Sequence, residues 1–265
     1  MTSNDHQKSE QRPQTNAEWI IETIVSLGLA ILIILTFRSS ILEAFKIPSG
    51  SMIPNLLVGD HILVNKLAYD LKVPFSDDLT RDPIYIFKRE NPKRGDIIVF
   101  RWPENEKIYF IKRVIGLPGD TIEMRNKILF INNKMVTRDR IQDSSVEKTF
   151  ENLDSDKYLL SNLELYLEHL DTMDHRLMID KASYASENFP PRQVPADQFF
   201  VMGDNRDYSN DSRSWGYVPR RNIKGRAVVV FFSFWINFNE WHSILPSWDE
   251  LKITFRPSRM GTLIR

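Results

Sequence analysis

IYFIKRVIGLPG, residues 108–119, decides the fold. Its first eight residues alternate with a period of two. A strand here puts Ile108, Phe110, Lys112 and Val114 on one face and Tyr109, Ile111, Arg113 and Ile115 on the other. Gly116-Leu117-Pro118-Gly119 then reads as a type II turn. Beyond it, residues 121–124, 128–131 and 134–136 form a meander. Asn126-Lys127 and Asn132-Asn133 sit at its corners, because asparagine tolerates positive φ. Residues 61–64 and 96–100 read as earlier strands, and 194–202 resumes strand character. Residues 227–234 are apolar and aromatic apart from Ser233, so both faces are expected to be covered. Short β runs punctuated by Gly, Pro and Asn predict a mostly β domain. Residues 142–188 differ, with more acid and a helical pattern over 158–170, and are expected to form an inserted cap or subdomain.

The chain has 265 residues, with 35 basic and 35 acidic side chains, zero formal charge and no cysteine. No global basic field argues for nucleic acid, and cysteine nucleophiles, cysteine metal sites and disulfides are excluded. Residues 1–17 are polar and expected to be disordered. WIIETIVSLGLAILIILTF, residues 19–37, would span roughly 28 Å as a helix, close to a bilayer's hydrocarbon core. A cleaved signal peptide has a shorter apolar core nearer Met1, so a transmembrane anchor over 18–38 is the favoured reading. Mixed charges ahead of Trp19 leave its orientation open.

Ser49-Gly50-Ser51-Met52 follows the anchor, stiffened by Pro48 and Pro54. In extended chain, Ser49 and Ser51 face one side, and Gly50 lets a substrate backbone approach. A serine hydroxyl needs a base to become a nucleophile. Lys112 is the candidate: on an apolar strand face its ammonium is desolvated, which lowers its pKa and frees an amine to take a proton. Lys46 and Lys66 are rivals with less apolar surroundings. Arg113, on the opposite face, is expected to pair with an acid. Residues 203–216, GDNRDYSNDSRSWG, read as a loop locked by ion pairs and side-chain-to-backbone bonds. His169, Asp171, Asp174 and His175 match no common metal spacing, and His61 reads as an ordinary histidine. The aromatic run 231–241 is expected to be core in its first half and either bilayer-facing or core in its second.

Together these blocks resemble the bacterial type I signal peptidases. The resemblance rests on residues 47–54, 59–66, 94–100, 111–120 and 203–216, in the family's order. It implies a fold of coiled antiparallel sheets, related to the self-cleavage domain of SOS repressors, with residues 39–265 as an extracytoplasmic catalytic domain. It implies Ser51 as nucleophile and Lys112 as general base, with the Ser49 hydroxyl and the Ser51 N–H forming the oxyanion hole. Ser209 would orient the lysine amine, while Asp211 and Arg213 would hold the site by a salt bridge. Phe45, Ile47, Met52, Leu56 and Ile111 would line shallow pockets for small residues at −3 and −1 of a preprotein.

The function so implied is removal of signal peptides from exported preproteins at the cytoplasmic membrane, without metal or organic cofactor. Some family members carry a second transmembrane helix or a disulfide in a larger cap, and residues 142–188 match the family poorly. A noncatalytic, membrane-tethered β domain that binds peptides is the alternative.

Overall fold

The computed structural model describes residues 16–76, 80, 82–142, 160–171, 173–184, 187–237 and 252–264. Residues 108–115 lie within a strand, Asn105–Gly116, that pairs antiparallel with Ile97–Trp102. These two are central in a nine-stranded sheet ordered Leu42–Lys46, Asp60–Asn65, Ile223–Asn237, Ile97–Trp102, Asn105–Gly116, Gln198–Met202 and Val218–Pro219; Lys252–Phe255 and Thr262–Leu263 also pair with the long Ile223–Asn237 strand. Every pairing in it is antiparallel.

Both faces of the central strands are buried over 97–101 and 111–116. Ile97, Val99 and Ile111 enter one apolar cluster with Ile62, Val64 and Val230. Ile98, Phe100 and Val114 enter another with Phe199, Val201 and Ile223. That is why IIVF reads as an unbroken apolar run instead of alternating.

The meander forms as Thr121–Arg125, Ile128–Ile131 and Lys134–Met135, joined by Phe189–Gln193 in a four-stranded sheet. Its two-residue turns hold Asn126 and Lys127 at φ 50° and 62°, and Asn132 and Asn133 at 53° and 63°. Positive φ at both central residues matches the twist of the flanking strands. The preceding turn spans 117–120, one residue later than expected. The Asp120 N–H donates to the Leu117 carbonyl at 3.0 Å, Gly119 takes φ 91°, and the Asp120 carboxylate accepts from the Leu117 N–H at 2.7 Å.

Two expectations fail. Residues 163–170 are a strand, Leu163–Leu170, which pairs with Met173–Asp180 and with Arg138–Arg140. The expected helical pattern over 158–170 is absent from these residues, and Glu164 and Glu168 are buried against Arg140 and Arg206. Within the 227–234 run, Ala227 and Val230 are buried, but Phe231 and Phe232 are 39% and 36% exposed. A register shift between Val230 and Phe232 turns both rings outward, as a bulge does. Residues 238–241 of that aromatic run, like 1–15 of the polar tail, lie outside the described residues.

The N-terminal helix runs Asn16–Ser40, so residues 16 and 17 belong to it and not to the tail. Trp19–Thr36 is long and apolar enough to cross a membrane, and none of it is buried in the protein. Where the helix ends, the Lys66 N–H donates to the Ile41 carbonyl at 2.9 Å, so the anchor exits directly into the main sheet.

Candidate active site

Gly50–Met52 forms a single 3-10 turn, not the extended chain expected. It is anchored ahead, where the Ile47 N–H donates to the Asp60 carbonyl and the Gly59 N–H to the Ile47 carbonyl, and closed after, where the Ile53 N–H donates to the Gly50 carbonyl and the Leu56 N–H to the Met52 carbonyl. Ser49 itself is extended, at φ −138° and ψ 158°, and its Oγ lies 3.5 Å from Ser51 Oγ. The two hydroxyls are therefore neighbours by a different route from the one the period-two argument supposed.

The strand Asn105–Gly116 brings Lys112 beneath this turn. Its Nζ lies 2.7 Å from Ser51 Oγ and donates to the Ile111 carbonyl at 3.0 Å. The lysine is 4% exposed. Burial pushes its pKa down, Asp211 and Asp204 pull it partly back and Arg213 pushes it down again, which leaves it at about 8. An amine near that value is part neutral close to pH 7 and can accept the serine proton. Of the rivals, Lys66 pairs with Glu43 at 3.4 Å and Lys46 is exposed.

Arg113 points to the other face and is wholly buried. Its Nε and Nη2 donate to the two Asp204 oxygens at 2.8 and 2.9 Å, a bidentate pair. Asp211 binds Arg213 at 2.8 and 2.7 Å and accepts from the Gly203 N–H at 2.9 Å. Burial alone would raise the Asp211 pKa, but Arg213 and these hydrogen bonds hold it below the usual carboxylate range. Arg213 in turn donates to the Arg206 carbonyl at 2.7 Å, so the loop closes on itself. Ser209 lies in the same loop, against Gly203 and close enough to Asp211 to help hold that carboxyl down. Its buried hydroxyl makes no hydrogen bond to Lys112; the amine's second partner is the Ile111 carbonyl.

Ile47, Met52, Leu56 and Ile111 share one buried cluster, with Phe45 packed against its edge and its ring 5.4 Å from that of Tyr109. Met52 and Leu56 are fully enclosed, so Phe45 and Ile111 are the members that reach the surface.

The histidines and acids near 169–175 do not converge. His169 bonds Asp174 and Asp139, Asp171 faces Arg94, and His175 is buried beside Arg206 and Glu168. Burial, then Arg113 and Arg206, keeps His175 well below its ordinary pKa and hence neutral.

A family model described as signal peptidase, peptidase S26, matches residues 20–232. The chain belongs to that family. Among curated relatives, the signal peptidase I of Pseudomonas aeruginosa is 39% identical over 228 residues, covering 81% of this chain and 73% of that one. The signal peptidase I of Aquifex aeolicus is 38% identical over 232 residues, covering 79% and 83%. A crystal structure of a signal peptidase I from Enterococcus faecalis V583 is 30% identical with a TM-score of 0.30, covering 52% of this chain and 97% of that one. Membership in a peptidase family leaves the noncatalytic-scaffold alternative without support. With the apolar N-terminal helix, it makes this signal peptidase family member a membrane-anchored hydrolase.

Sequence reasoning named Asp204, Asn205 and Arg206 as loop residues without roles. Their partners lie on other elements: Arg113 for Asp204, the Ser51 turn for Asn205 and Glu168 for Arg206. The density of polar residues in 203–206 was the one available signal.

Proposed function

We propose that this protein is a membrane-bound serine endopeptidase that cleaves N-terminal signal peptides from exported preproteins, with Ser51 as nucleophile and Lys112 as general base. The 2.7 Å contact between a buried Nζ and Ser51 Oγ carries the reading. The neutral amine takes the Ser51 proton as Oγ attacks the scissile carbonyl. The Ser51 N–H and the Ser49 hydroxyl stabilise the oxyanion. The resulting ammonium donates its proton to the leaving amine. Water activated by the amine then hydrolyses the ester. Arg113, Asp204, Asp211 and Arg213 hold the two reacting elements in register, and the Ile111 carbonyl steadies the amine as the ester forms.

Phe45 and Ile111 form the surface against which −3 and −1 side chains pack, with Ile47, Met52 and Leu56 filling the cluster behind them. The substrate lies extended beside a strand edge. The anchor is a single pass through the cytoplasmic membrane, with the catalytic domain on the extracytoplasmic side. The exposed rings of Phe232 and Phe255, 5.6 Å apart, fit a surface resting on lipid.

The test is the pH dependence of preprotein cleavage, with mass spectrometry of the products. At limiting substrate the rate rises about tenfold per pH unit below about 8 and levels above it, because only the neutral amine is active. Cuts fall after small residues at −3 and −1. A rate governed by a group titrating near pH 4, or cuts without that preference, would overturn the assignment.

A further inference from the structure

Asn205 grips the turn that carries Ser51 at two points. Its backbone N–H donates to the Ser51 carbonyl at 3.0 Å, and its side-chain Nδ2 donates to the Gly50 carbonyl at 3.0 Å. The Gly50 oxygen also accepts from the Ile53 N–H at 3.2 Å. The carboxamide nitrogen must be the atom facing Gly50, since its oxygen would oppose another acceptor. A peptide unit is planar and trans, so its C=O and N–H point in opposite directions. Fixing the Gly50 oxygen therefore fixes the direction of the Ser51 N–H, which belongs to the same unit.

We infer that Asn205 is a positioning residue for catalysis: its carboxamide sets the plane of the Gly50–Ser51 peptide and so aims the Ser51 N–H at the oxygen that gains charge during attack. The inference rests on Ser51 being the nucleophile and supplies the device that preforms its oxyanion hole. Preorganisation matters because a donor already aimed at the developing charge needs no reorientation as the reaction proceeds.

Asn205 is itself held from behind. Met178, on the inserted strand Met173–Asp180, donates its N–H to the Asp204 carbonyl at 2.8 Å and accepts from the Arg206 N–H at 2.9 Å. Those two bonds clasp the Asn205 backbone between them in a parallel bridge. On one side of it Asp204 is gripped by Arg113 and by Asn55 Nδ2 at 2.7 Å. On the other, Arg206 donates to both Glu168 oxygens, at 3.1 and 2.5 Å, with both side chains buried. The inserted strands thus buttress the nucleophile's turn through one asparagine.

The experiment compares the full-length protein with Asn205→Asp, Asn205→Ala and Ser51→Ala in detergent, on a signal-peptide substrate. Asn205→Asp puts an oxygen where the donor was; Asn205→Ala removes the donor and keeps the backbone N–H. Both are expected to lower kcat about 10- to 100-fold with KM changed less than about threefold, a loss in the range of a missing oxyanion-hole donor or somewhat milder. A peptide boronate, which mimics the tetrahedral intermediate, should lose affinity by a similar factor, while a product peptide binds as before. The pH midpoint should not move, because Lys112 is untouched. A merely structural role would show in the thermal midpoint and the active fraction, leaving the kcat of folded protein and boronate affinity intact. Should Asn205→Asp fail to fold, Asn205→Ala decides. Unchanged kcat in Asn205→Ala, or a loss confined to KM, overturns the inference. If Ser51→Ala still cleaves, it is the nucleophile assignment that falls, whatever Asn205 does.

Discussion

Lys112→Met is expected to abolish cleavage and yet stabilise the fold. Methionine fills a similar volume but offers no proton acceptor, so the rate should fall on the order of 10⁴-fold, the upper range for loss of a general base. The gain in stability follows from the same burial that tunes the amine. In the unfolded chain the lysine has its ordinary pKa of 10.5, and in the folded protein about 8. A depressed lysine makes the unfolded state the tighter proton binder between those values, so stability rises with pH from about 8 to about 10.5, and the full cost of the buried ammonium is present below 8. At about 1.4 kcal/mol per pH unit that cost is on the order of 3 kcal/mol, from which about 1 kcal/mol is subtracted for the lost hydrogen bond to Ser51. Thermal unfolding at pH 7 should therefore show a higher midpoint for Lys112→Met, with the difference shrinking from about pH 8 and gone by about 10.5. Lys112→Arg separates base from charge: it keeps a cation but cannot deprotonate, and should be as inactive as methionine. An active arginine variant would mean that the lysine works only as a positive charge, and a less stable methionine variant would mean that its burial is not costly.

Much of this arrangement was legible because local chemistry and tertiary structure agree. The period-two pattern of 108–115 gave the strand and the face of Lys112, since neighbours cover both sides of it. The asparagines at 126, 132 and 133 gave the meander's corners, because residues that tolerate positive φ stand where positive φ is needed. Legibility failed where a residue's surroundings come from elsewhere in the chain. Residues 163–170 looked helical, yet the strand is held by partners far away in sequence, with Glu164 and Glu168 meeting Arg140 and Arg206. Phe231 and Phe232 looked like core because no pattern in one strand announces a bulge that depends on its neighbour's register. The Ser49–Ser51 proximity was anticipated for a reason the structure replaces: the 3-10 turn, not an extended strand, brings the hydroxyls together. Asn205 shows the limit most clearly. Its chemical type was visible in the loop, but the carbonyl it meets was not.

Gly203→Ala is the change of one methyl with the largest expected effect. Gly203 does not have positive φ, so a side chain is not excluded by its backbone; what the position needs is room. A Cβ there would overlap the Ser51 carbonyl oxygen and the Ser209 hydroxyl and lie 2.5 Å from Ser209 Cβ. The serine side chain has some freedom to move aside. The carbonyl has little, because the Asn205 N–H holds it at 3.0 Å and the turn behind it is closed by bonds from Ile53 to the Gly50 carbonyl and from Asn55 and Leu56 to the Met52 carbonyl. Relief must therefore come by moving the Ser51 turn or by swinging residues 203–206 away from it, and either breaks the register between Ser51 and Lys112. A misplacement of about 1 Å costs on the order of 100-fold in rate, and overpacking of this kind costs about 1–3 kcal/mol in stability. The kcat of Gly203→Ala on a preprotein should fall by at least that factor, with a thermal midpoint only a few degrees lower. Pairing the change with Ser209→Gly distinguishes the two overlaps: it empties the side-chain space and leaves the carbonyl where it is. If the double variant stays as slow as Gly203→Ala, the backbone contact with Ser51 is the reason for the glycine. Recovery would mean instead that the position only makes room for Ser209, and that the nucleophile's turn is less tightly held than its hydrogen bonds imply.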